Sequence, residues 1–145
     1  MKVALASDHA GFPLKQEIKK YLKKKKMAFK DFGTDSEESC DYPDFAKPAA
    51  RAVAQGKFDR GILICGSGVG VTIVANKVKG IRAVNAYDIY TAKQSREHGD
   101  CNVLCLAGRK LKKDQALKIV AVWLATPFSN DERHLRRIRK IESRR

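Results

Sequence analysis

The chain has 145 residues, of which 43% are hydrophobic, and this is enough for one compact domain with a buried core. No apolar run approaches the roughly 18 residues that a membrane span needs, and the apolar part of the N-terminus is too short for a signal peptide. We therefore expect a single domain over residues 1–145, located in the cytoplasm and not in a membrane.

The net charge of +14 raises the question of a nucleic-acid partner. The excess charge lies in two segments, Lys15 to Lys30 and Arg133 to Arg145. The first segment has few aromatic side chains on which bases could stack, so we interpret it as the solvated face of a helix. A basic nucleic-acid-binding module is the disfavoured alternative, and a salt-sensitive mobility shift with DNA or RNA would support it.

Four cysteines, at positions 40, 65, 101 and 105, lack the C-x-x-C spacing and the histidine partners of a zinc site. Cys101 and Cys105 flank an apolar segment, where a free cysteine acts as a small hydrophobic side chain. We expect reduced thiols, no metal and no cofactor.

Apolar residues recur alternately with strand and helix periodicity along the chain. Strands are predicted at residues 3–6, 27–32, 61–64, 81–84 and 102–106. Helices are predicted after Pro13, which suits a first turn, and at residues 45–54, 71–76, 87–96, 111–124 and 131–141. Five strands alternating with helices predict an α/β fold, a single Rossmann-like three-layer α/β/α domain with a five-stranded parallel sheet and a C-terminal helix.

A glycine-rich loop, Cys65 to Gly70, follows the third predicted strand. Its glycines let the backbone approach a ligand, and the first amides of the next helix have no partner inside it. Such a loop can bind an oxyanion or a phosphate. It is neither a P-loop nor a dinucleotide fingerprint, because no Gly-Lys-Ser/Thr follows and position 71 is Val71. A tight turn without a ligand is the alternative interpretation.

Ligands of parallel sheets bind beyond the carboxyl ends of the strands, where the strand order reverses. Asp8 and His9 follow the first predicted strand, the glycine-rich loop follows the third, and Arg109 follows the fifth. His98 and Gly99 precede the fifth strand, and we group them with the same edge of the sheet.

Short motifs occur in a fixed order along nearly the whole chain: Ser7 to Phe12, Asp41 to Pro43, Ile64 to Gly70, Ala75 to Lys77, Gly80 to Ala83, Ser95 to His98, Asn102 to Leu104, and Arg133 with His134. Each motif is modest alone. Taken in order, the set resembles the ribose-5-phosphate isomerase B family and its relatives that isomerise galactose 6-phosphate or allose 6-phosphate. That family moves a proton between C1 and C2 of an open-chain sugar phosphate.

The resemblance implies three catalytic residues. Cys65 is the implied base, since a thiol beside a helix N-terminus is readily deprotonated, and Val71 stands where some members carry a glutamate base. His98 is the implied ring-opening residue, a proton transfer that suits histidine near neutral pH. Ser67, where many relatives carry threonine, supplies a hydroxyl. The implied donors that stabilise the negative charge of the enediolate are this hydroxyl and the backbone amides of Gly66, Gly68, Val69 and Gly70.

The resemblance also implies how the substrate is held. Asp8 hydrogen-bonds the sugar hydroxyls, and Gly99 offers only its backbone N–H, because many relatives have asparagine there. The implied phosphate ligands are His9, Arg109, Arg133 and Arg137. Arginine forks match phosphate oxygens, and the last two arginines share a helix face because they are four residues apart.

In the family, His98, Arg109 and the tail arginines come partly from a neighbouring subunit. The resemblance therefore implies a homodimer, or a tetramer built from two dimers. The implied activity interconverts D-ribose 5-phosphate and D-ribulose 5-phosphate through an enediolate, a reaction of the pentose phosphate pathway. A six-carbon sugar phosphate stays open as the substrate. A binding protein that has lost catalysis is a further alternative, against which the presence of Cys65 and His98 argues.

Overall fold

The structure is a computed structural model that describes residues 1–143. Its strands are β1 (Lys2–Ser7), β2 (Ala28–Asp31), β3 (Arg60–Cys65), β4 (Ala83–Asn85) and β5 (Val103–Ala107). Its helices are α1 (Phe12–Lys24), α2 (Tyr42–Ala54), α3 (Val69–Asn76), α4 (Ile89–Gly99), α5 (Lys113–Ala125) and α6 (Glu132–Glu142). Within the described residues, no helix has both the length and the apolar character to cross a membrane.

All neighbouring strands run parallel, in the order β2-β1-β3-β5-β4. Leu5 of β1 lies beside Ile62 of β3, and Cys65 at the end of β3 lies beside Ala107 of β5. The strand order reverses between β1 and β3, so the carboxyl ends of these two strands border a crevice. The predicted five-stranded parallel sheet is confirmed.

The handedness of the crossovers decides which face of the sheet each helix covers. Strand–helix–strand connections are right-handed. The chain crosses the sheet in one direction from β1 to β2 and from β4 to β5, and in the other direction from β2 to β3 and from β3 to β4. Helices α1 and α4 therefore cover one face, and α2 and α3 cover the other. Helix α5 packs on the first face, where its Ile119 shares a core with Ile18. Ile64 accordingly packs in one core with Ile18 of α1, and Leu63 packs in the other with Ala49 of α2.

Several helix boundaries differ from the predicted ones, and three of the differences have a local description. Helix α2 begins at Tyr42 rather than at residue 45, because Pro43 occupies its first turn. Helix α3 begins at Val69, two residues earlier than predicted, directly after a left-handed residue. Helix α4 begins at Ile89 because the Asp88 side chain caps it, accepting a hydrogen bond of 2.7 Å from the Thr91 N–H.

A buried ion pair ties α1 to the end of β2. Lys15 is 0% exposed, and its Nζ donates to Asp31 Oδ1 at 2.8 Å and to the Thr34 carbonyl. Lys19 Nζ lies 2.9 Å from the other oxygen of Asp31. The Thr34 N–H in turn donates to the Ser7 carbonyl at 2.6 Å. These charge-assisted bonds therefore hold the segment that borders the carboxyl end of β1.

We expect Asp31→Asn to remove a stabilisation that depends on pH. Burial by itself raises the pKa of Asp31, but hydrogen bonds from Lys15, Lys19 and the Gly33 N–H outweigh it, so the folded-state pKa lies below the ordinary 3.8. The unfolded chain then binds the proton more readily. The stabilisation is complete above about pH 4 and is lost as the pH falls through the folded-state pKa.

The measurement is urea denaturation of wild type and Asp31→Asn at a series of pH values. The difference in free energy of unfolding should shrink as the medium becomes more acidic than about pH 4. A difference that stays constant from neutral to strongly acidic pH would contradict this role of the carboxylate.

Candidate active site

A cavity of about 750 Å³ opens at the edge of the sheet where the strand order reverses. The lining residues are Asp8, Tyr42, Cys65, Gly66, Ser67, Val69, Gly70, Ile73, Tyr87, Arg109 and Lys110. They come from the ends of β1, β3 and β5, from the first turns of α2 and α3, and from the segment after β4. A single chain thus brings together seven of the predicted site residues: Asp8, Cys65, Gly66, Ser67, Val69, Gly70 and Arg109.

The loop between β3 and α3 presents backbone donors that lack acceptors. The N–H groups of Gly66, Ser67 and Gly68 donate to no backbone or side-chain acceptor within residues 1–143. The N–H groups of the first turn of α3 have no intrahelical partners either. Unpartnered donors at a helix N-terminus, together with the positive end of the helix dipole, attract an anion. The loop is therefore built to hold negative charge.

Two glycines of this loop are required by their surroundings. Gly68 has a φ of 77°, and a β-carbon there would collide with the side-chain amide of Asn85. A β-carbon at Gly70 would lie 2.6 Å from Cζ of Tyr42. The Tyr42 ring can therefore pack directly on the backbone of α3. At position 68, glycine is the residue that adopts the left-handed conformation at low energetic cost.

Cys65 and Asp8 border the same cavity from adjacent strands. Cys65 ends β3 and is 4% exposed. The Asp8 N–H donates to the Ile64 carbonyl at 3.2 Å, which keeps the ends of β1 and β3 side by side. Asp8 Oδ1 accepts from the Gly11 N–H at 2.9 Å, and this bond orients the carboxylate. The arrangement puts a thiol, a carboxylate and free amides around one hollow.

Ser67 is exposed, and its Oγ accepts a hydrogen bond of 3.2 Å from the Val69 N–H. This bond occupies a lone pair of the oxygen, so the hydroxyl proton stays available for a ligand. The predicted donor role of Ser67 is compatible with this geometry and stays a prediction.

His9 follows Asp8 but does not line the cavity. Its Nδ1 accepts a hydrogen bond of 3.2 Å from the Cys40 N–H and lies 3.8 Å from Cys40 Sγ. Because Nδ1 accepts this bond, the neutral imidazole carries its proton on Nε2. His9 can therefore donate a hydrogen bond to a ligand from the nitrogen that faces away from Cys40.

Arg109 lies beside the glycine-rich loop. Its N–H donates to the Gly66 carbonyl at 3.1 Å, and a β-carbon at position 66 would lie 3.6 Å from its Nη1. The N–H of Gly108 donates to the Cys65 carbonyl at 2.8 Å, which fixes the turn after β5 against the loop. A guanidinium placed here can pair with a phosphate or carboxylate that enters the cavity.

His98 and Gly99 do not lie where we grouped them. Helix α4 runs antiparallel to the strands, so its last residues lie at the amino end of β5, and the grouping with the carboxyl edge was wrong. Neither residue lines the cavity that contains Cys65. The Gly99 carbonyl accepts from Nε of Arg82 at 2.9 Å, and Gly99 borders a different depression with Cys101.

The exposed His98 ring stacks on His134 of α6, with ring centroids 4.2 Å apart. Burial lowers the pKa of His134, and the neighbouring His98, Arg133 and Arg137 lower it further against an opposing effect of Asp131. His134 Nδ1 lies 2.9 Å from Ser129 Oγ. The two predicted tail arginines therefore accompany a histidine pair, and within one chain this group does not line the Cys65 cavity.

Four lining residues were absent from the predicted set: Tyr42, Ile73, Tyr87 and Lys110. Tyr42 lies in a motif that carried the resemblance, and Lys110 directly follows Arg109. Tyr87 comes two residues after β4, so the rule for carboxyl ends of strands would have found it. No sequence signal pointed to Ile73, because an apolar residue in a short helix is normally interpreted as part of the hydrophobic core. The described residues contain no group of three or more His, Cys, Asp or Glu side chains that could hold a metal ion.

These features define a class of site. An open α/β sheet presents unpartnered amides, a thiol, a carboxylate and a guanidinium at its switch point, and such a set binds a small anionic substrate and can move a proton on it. A family model described as Ribose/Galactose Isomerase matches residues 3–141. The chain belongs to this family, which confirms the resemblance drawn from its motifs.

Relatives and solved structures agree with this assignment. The chain is 45% identical to ribose-5-phosphate isomerase B of Escherichia coli over 140 residues, which cover 97% of this chain and 93% of the relative. It is 39% identical to a D-erythrulose-4-phosphate isomerase of Pectobacterium atrosepticum, with 88% and 85% of the two chains covered.

A solved structure of ribose-5-phosphate isomerase B from Clostridium thermocellum has a TM-score of 0.96 and 49% identity, with 98% of this chain and 95% of that chain covered. The enzyme from Mycoplasma genitalium with bound ribulose 5-phosphate has a TM-score of 0.93 and 43% identity, with 97% and 93% covered. The predicted three-layer fold is thus shared with enzymes of this family.

We expect Gly68→Ala to destabilise the protein more than Gly56→Ala, although both glycines have a positive φ, 77° and 70°. Nothing lies within 4 Å of a β-carbon at Gly56. Gly56→Ala should therefore lower the free energy of unfolding only by the cost of a left-handed alanine, about 1 kcal/mol. Gly68→Ala adds a collision with Asn85 and should cost roughly 2–4 kcal/mol. Urea denaturation measures both losses, and equal losses would show that the loop is not constrained by Asn85.

Proposed function

We propose that this protein is an aldose–ketose isomerase that interconverts D-ribose 5-phosphate and D-ribulose 5-phosphate through an enediolate. The observation that carries the proposal is the cavity itself: the Cys65 thiol and the unpartnered amides of the loop border one hollow. Membership of the isomerase family supports the reaction class. The enzyme from Mycoplasma genitalium, whose structure holds ribulose 5-phosphate, supports the five-carbon substrate.

In the proposed reaction, the Cys65 thiolate removes the proton from C2 of the open-chain aldose. The C–H electron pair forms the C1–C2 double bond, and the carbonyl π electrons move to O1. The loop amides and the Ser67 hydroxyl stabilise this charge, and donors aimed at developing charge are commonly the largest catalytic contribution. The O2 proton then passes to O1, the thiol returns its proton to C1, and C2 becomes the ketone. No metal or cofactor takes part in these steps.

The remaining proposed ligands of the substrate follow from position for Asp8 and Arg109, and from the family resemblance for His9, which does not line the cavity. Asp8 accepts hydrogen bonds from the sugar hydroxyls, and Arg109 with His9 binds the phosphate. His98, Gly99, Arg133 and Arg137 do not line this cavity in their own chain. We propose that they reach the cavity of a partner subunit, where His98 opens the sugar ring and the two arginines bind the phosphate.

Exposed apolar side chains around the cavity support a homodimer. Val69 and Ile73 on α3 are 49% and 55% exposed, and Tyr87 and Ile89 near the start of α4 are 41% and 45% exposed. Apolar patches of this kind commonly mark protein–protein contacts. A tetramer built from two such dimers is compatible with the same surface. A cytoplasmic location remains the expectation for an enzyme of sugar phosphate metabolism.

The length of the sugar is the open choice within the proposed class. The family description names galactose as well as ribose, and one relative is named for a four-carbon sugar phosphate. The deciding experiment compares kcat/KM for four-, five- and six-carbon aldose phosphates with the same enzyme. A preference for galactose or allose 6-phosphate would replace ribose 5-phosphate with the six-carbon alternative, and no turnover of any would overturn the proposed class.

We expect Cys65→Ala to lower kcat by roughly 10³-fold, because it removes the general base. Ribose 5-phosphate binding, measured by calorimetry, should change little, since the phosphate and hydroxyl ligands remain. Cys101→Ala is the control: it removes a half-buried thiol that does not line the cavity and should leave turnover unchanged. Undiminished turnover in Cys65→Ala would refute the assignment of the base.

We expect two inactive variants to restore activity when they are mixed, if subunits share sites. A heterodimer of Cys65→Ala and His98→Ala chains has one site with both residues intact and one with neither. Random exchange after partial unfolding and refolding should therefore recover about a quarter of wild-type turnover, from the statistics of a two-fold dimer. Recovery of nothing beyond the sum of the separate variants would show that each chain completes its own site.

A further inference from the structure

The carbonyl of Ser67 has two side-chain donors that play no part in the proposed chemistry. The Tyr87 hydroxyl donates to it at 2.6 Å, and Asn85 Nδ2 donates to it at 3.2 Å. Asn85 Nδ2 also lies 3.4 Å from the Tyr87 oxygen. Three polar groups, one of them on the last residue of β4, thus form a triangle, and linked hydrogen bonds of this kind strengthen one another.

The position of the triangle matters because of peptide geometry. In a trans peptide, the carbonyl of one residue and the N–H of the next point in opposite directions. Fixing the Ser67 carbonyl against Tyr87 and Asn85 therefore also fixes the direction of the Gly68 N–H, which donates to no acceptor within the described chain. Gly68, a predicted site residue, is buried and does not line the cavity, but Ser67 and Val69 on either side of it do. Side chains at the end of β4 therefore hold the loop between two cavity-lining residues.

The remaining contacts of Asn85 and Tyr87 show that both residues are held independently of the substrate. A β-carbon at Gly68 would collide with the Asn85 amide, so the loop and Asn85 are closely packed. The Tyr87 carbonyl accepts from Gln115 Nε2 of α5 at 3.0 Å. Because this bond anchors the backbone of Tyr87, removing its hydroxyl should leave the ring in place.

We propose that Tyr87 and Asn85 are positioning residues for the isomerase reaction, which hold the Ser67–Gly68 peptide and thereby keep the Ser67 hydroxyl and the adjacent cavity-lining amides in the orientation that meets the enediolate oxygen. The catalytic part of this proposal rests on the proposed function, whereas the hold of Tyr87 and Asn85 on the Ser67 carbonyl does not. Without the Tyr87 hydroxyl, the Ser67 carbonyl keeps only its bond from Asn85, so the loop is held less firmly and its donors must be realigned in each turnover. The proposed phosphate ligands are other side chains, so the loss falls on kcat.

The test compares Tyr87→Phe with Tyr90→Phe, a matched removal of one phenol oxygen. Tyr90 is 70% exposed, and its oxygen only accepts a surface hydrogen bond of 2.9 Å from Gln94 Nε2. Tyr87→Phe should lower kcat about tenfold with KM changed less than about twofold, the size expected for one neutral hydrogen bond, and Tyr90→Phe should match wild type. Asn85→Val should lower kcat in the same way, and the double variant should lose less than the product of the single losses, because both donors share one carbonyl.

A readout that does not depend on activity is the NMR ¹³C shift of the Ser67 carbonyl, which moves upfield when hydrogen bonds to that oxygen are lost. It should move in Tyr87→Phe and not in Tyr90→Phe. Oligomeric state, measured by sedimentation, should be the same in all variants. An unchanged kcat in Tyr87→Phe, or a higher KM with unchanged kcat, would overturn the positioning role.

Failure of the positioning role and failure of the proposed function can be told apart. If wild type turns over no sugar phosphate, the proposed function fails, and the carbonyl shift alone then decides whether the triangle holds the peptide. An unmoved Ser67 carbonyl shift in Tyr87→Phe overturns the proposal with or without enzyme activity.

Discussion

The site depends on backbone N–H groups that the fold leaves without acceptors between β3 and α3. A buried amide without a partner costs free energy comparable to a lost hydrogen bond, so such groups persist only where water or a ligand can reach them. The switch point of the sheet provides this access, since the connections that leave β1 and β3 go to opposite faces of the sheet there. The left-handed Gly68 then lets the chain turn from strand to helix within three residues.

The order of strands and helices along the chain could be predicted because it follows from periodicity, and the site could be placed because ligands of parallel sheets bind beyond the carboxyl ends of the strands. Asp8, Cys65 and Arg109 follow strands, and parallel strands end at one edge, so their proximity needed no knowledge of side-chain contacts. The Tyr87–Ser67 contact could not be predicted in this way. It joins residues 20 apart, and neither belongs to a periodic pattern.

The error over His98 has a physical cause as well. A position just before β5 in the chain does not imply proximity to the ligand edge, because a helix that returns between parallel strands ends at the opposite edge. The stacking of His98 on His134 also depends on how α6 packs against α4, and no local pattern encodes that packing. Family resemblance supplied the role of His98, and the fold alone did not place it beside Cys65.

The bond between the Cys40 amide and His9 has a consequence for substitutions at position 40 of this chain. The donor is a main-chain group, so the choice of imidazole tautomer is indifferent to which side chain occupies position 40. Of the substitutions of Cys40, only proline removes this donor, because proline lacks the backbone hydrogen. The path of the backbone therefore sets the tautomer of His9, and the side chain at position 40 is not needed for it.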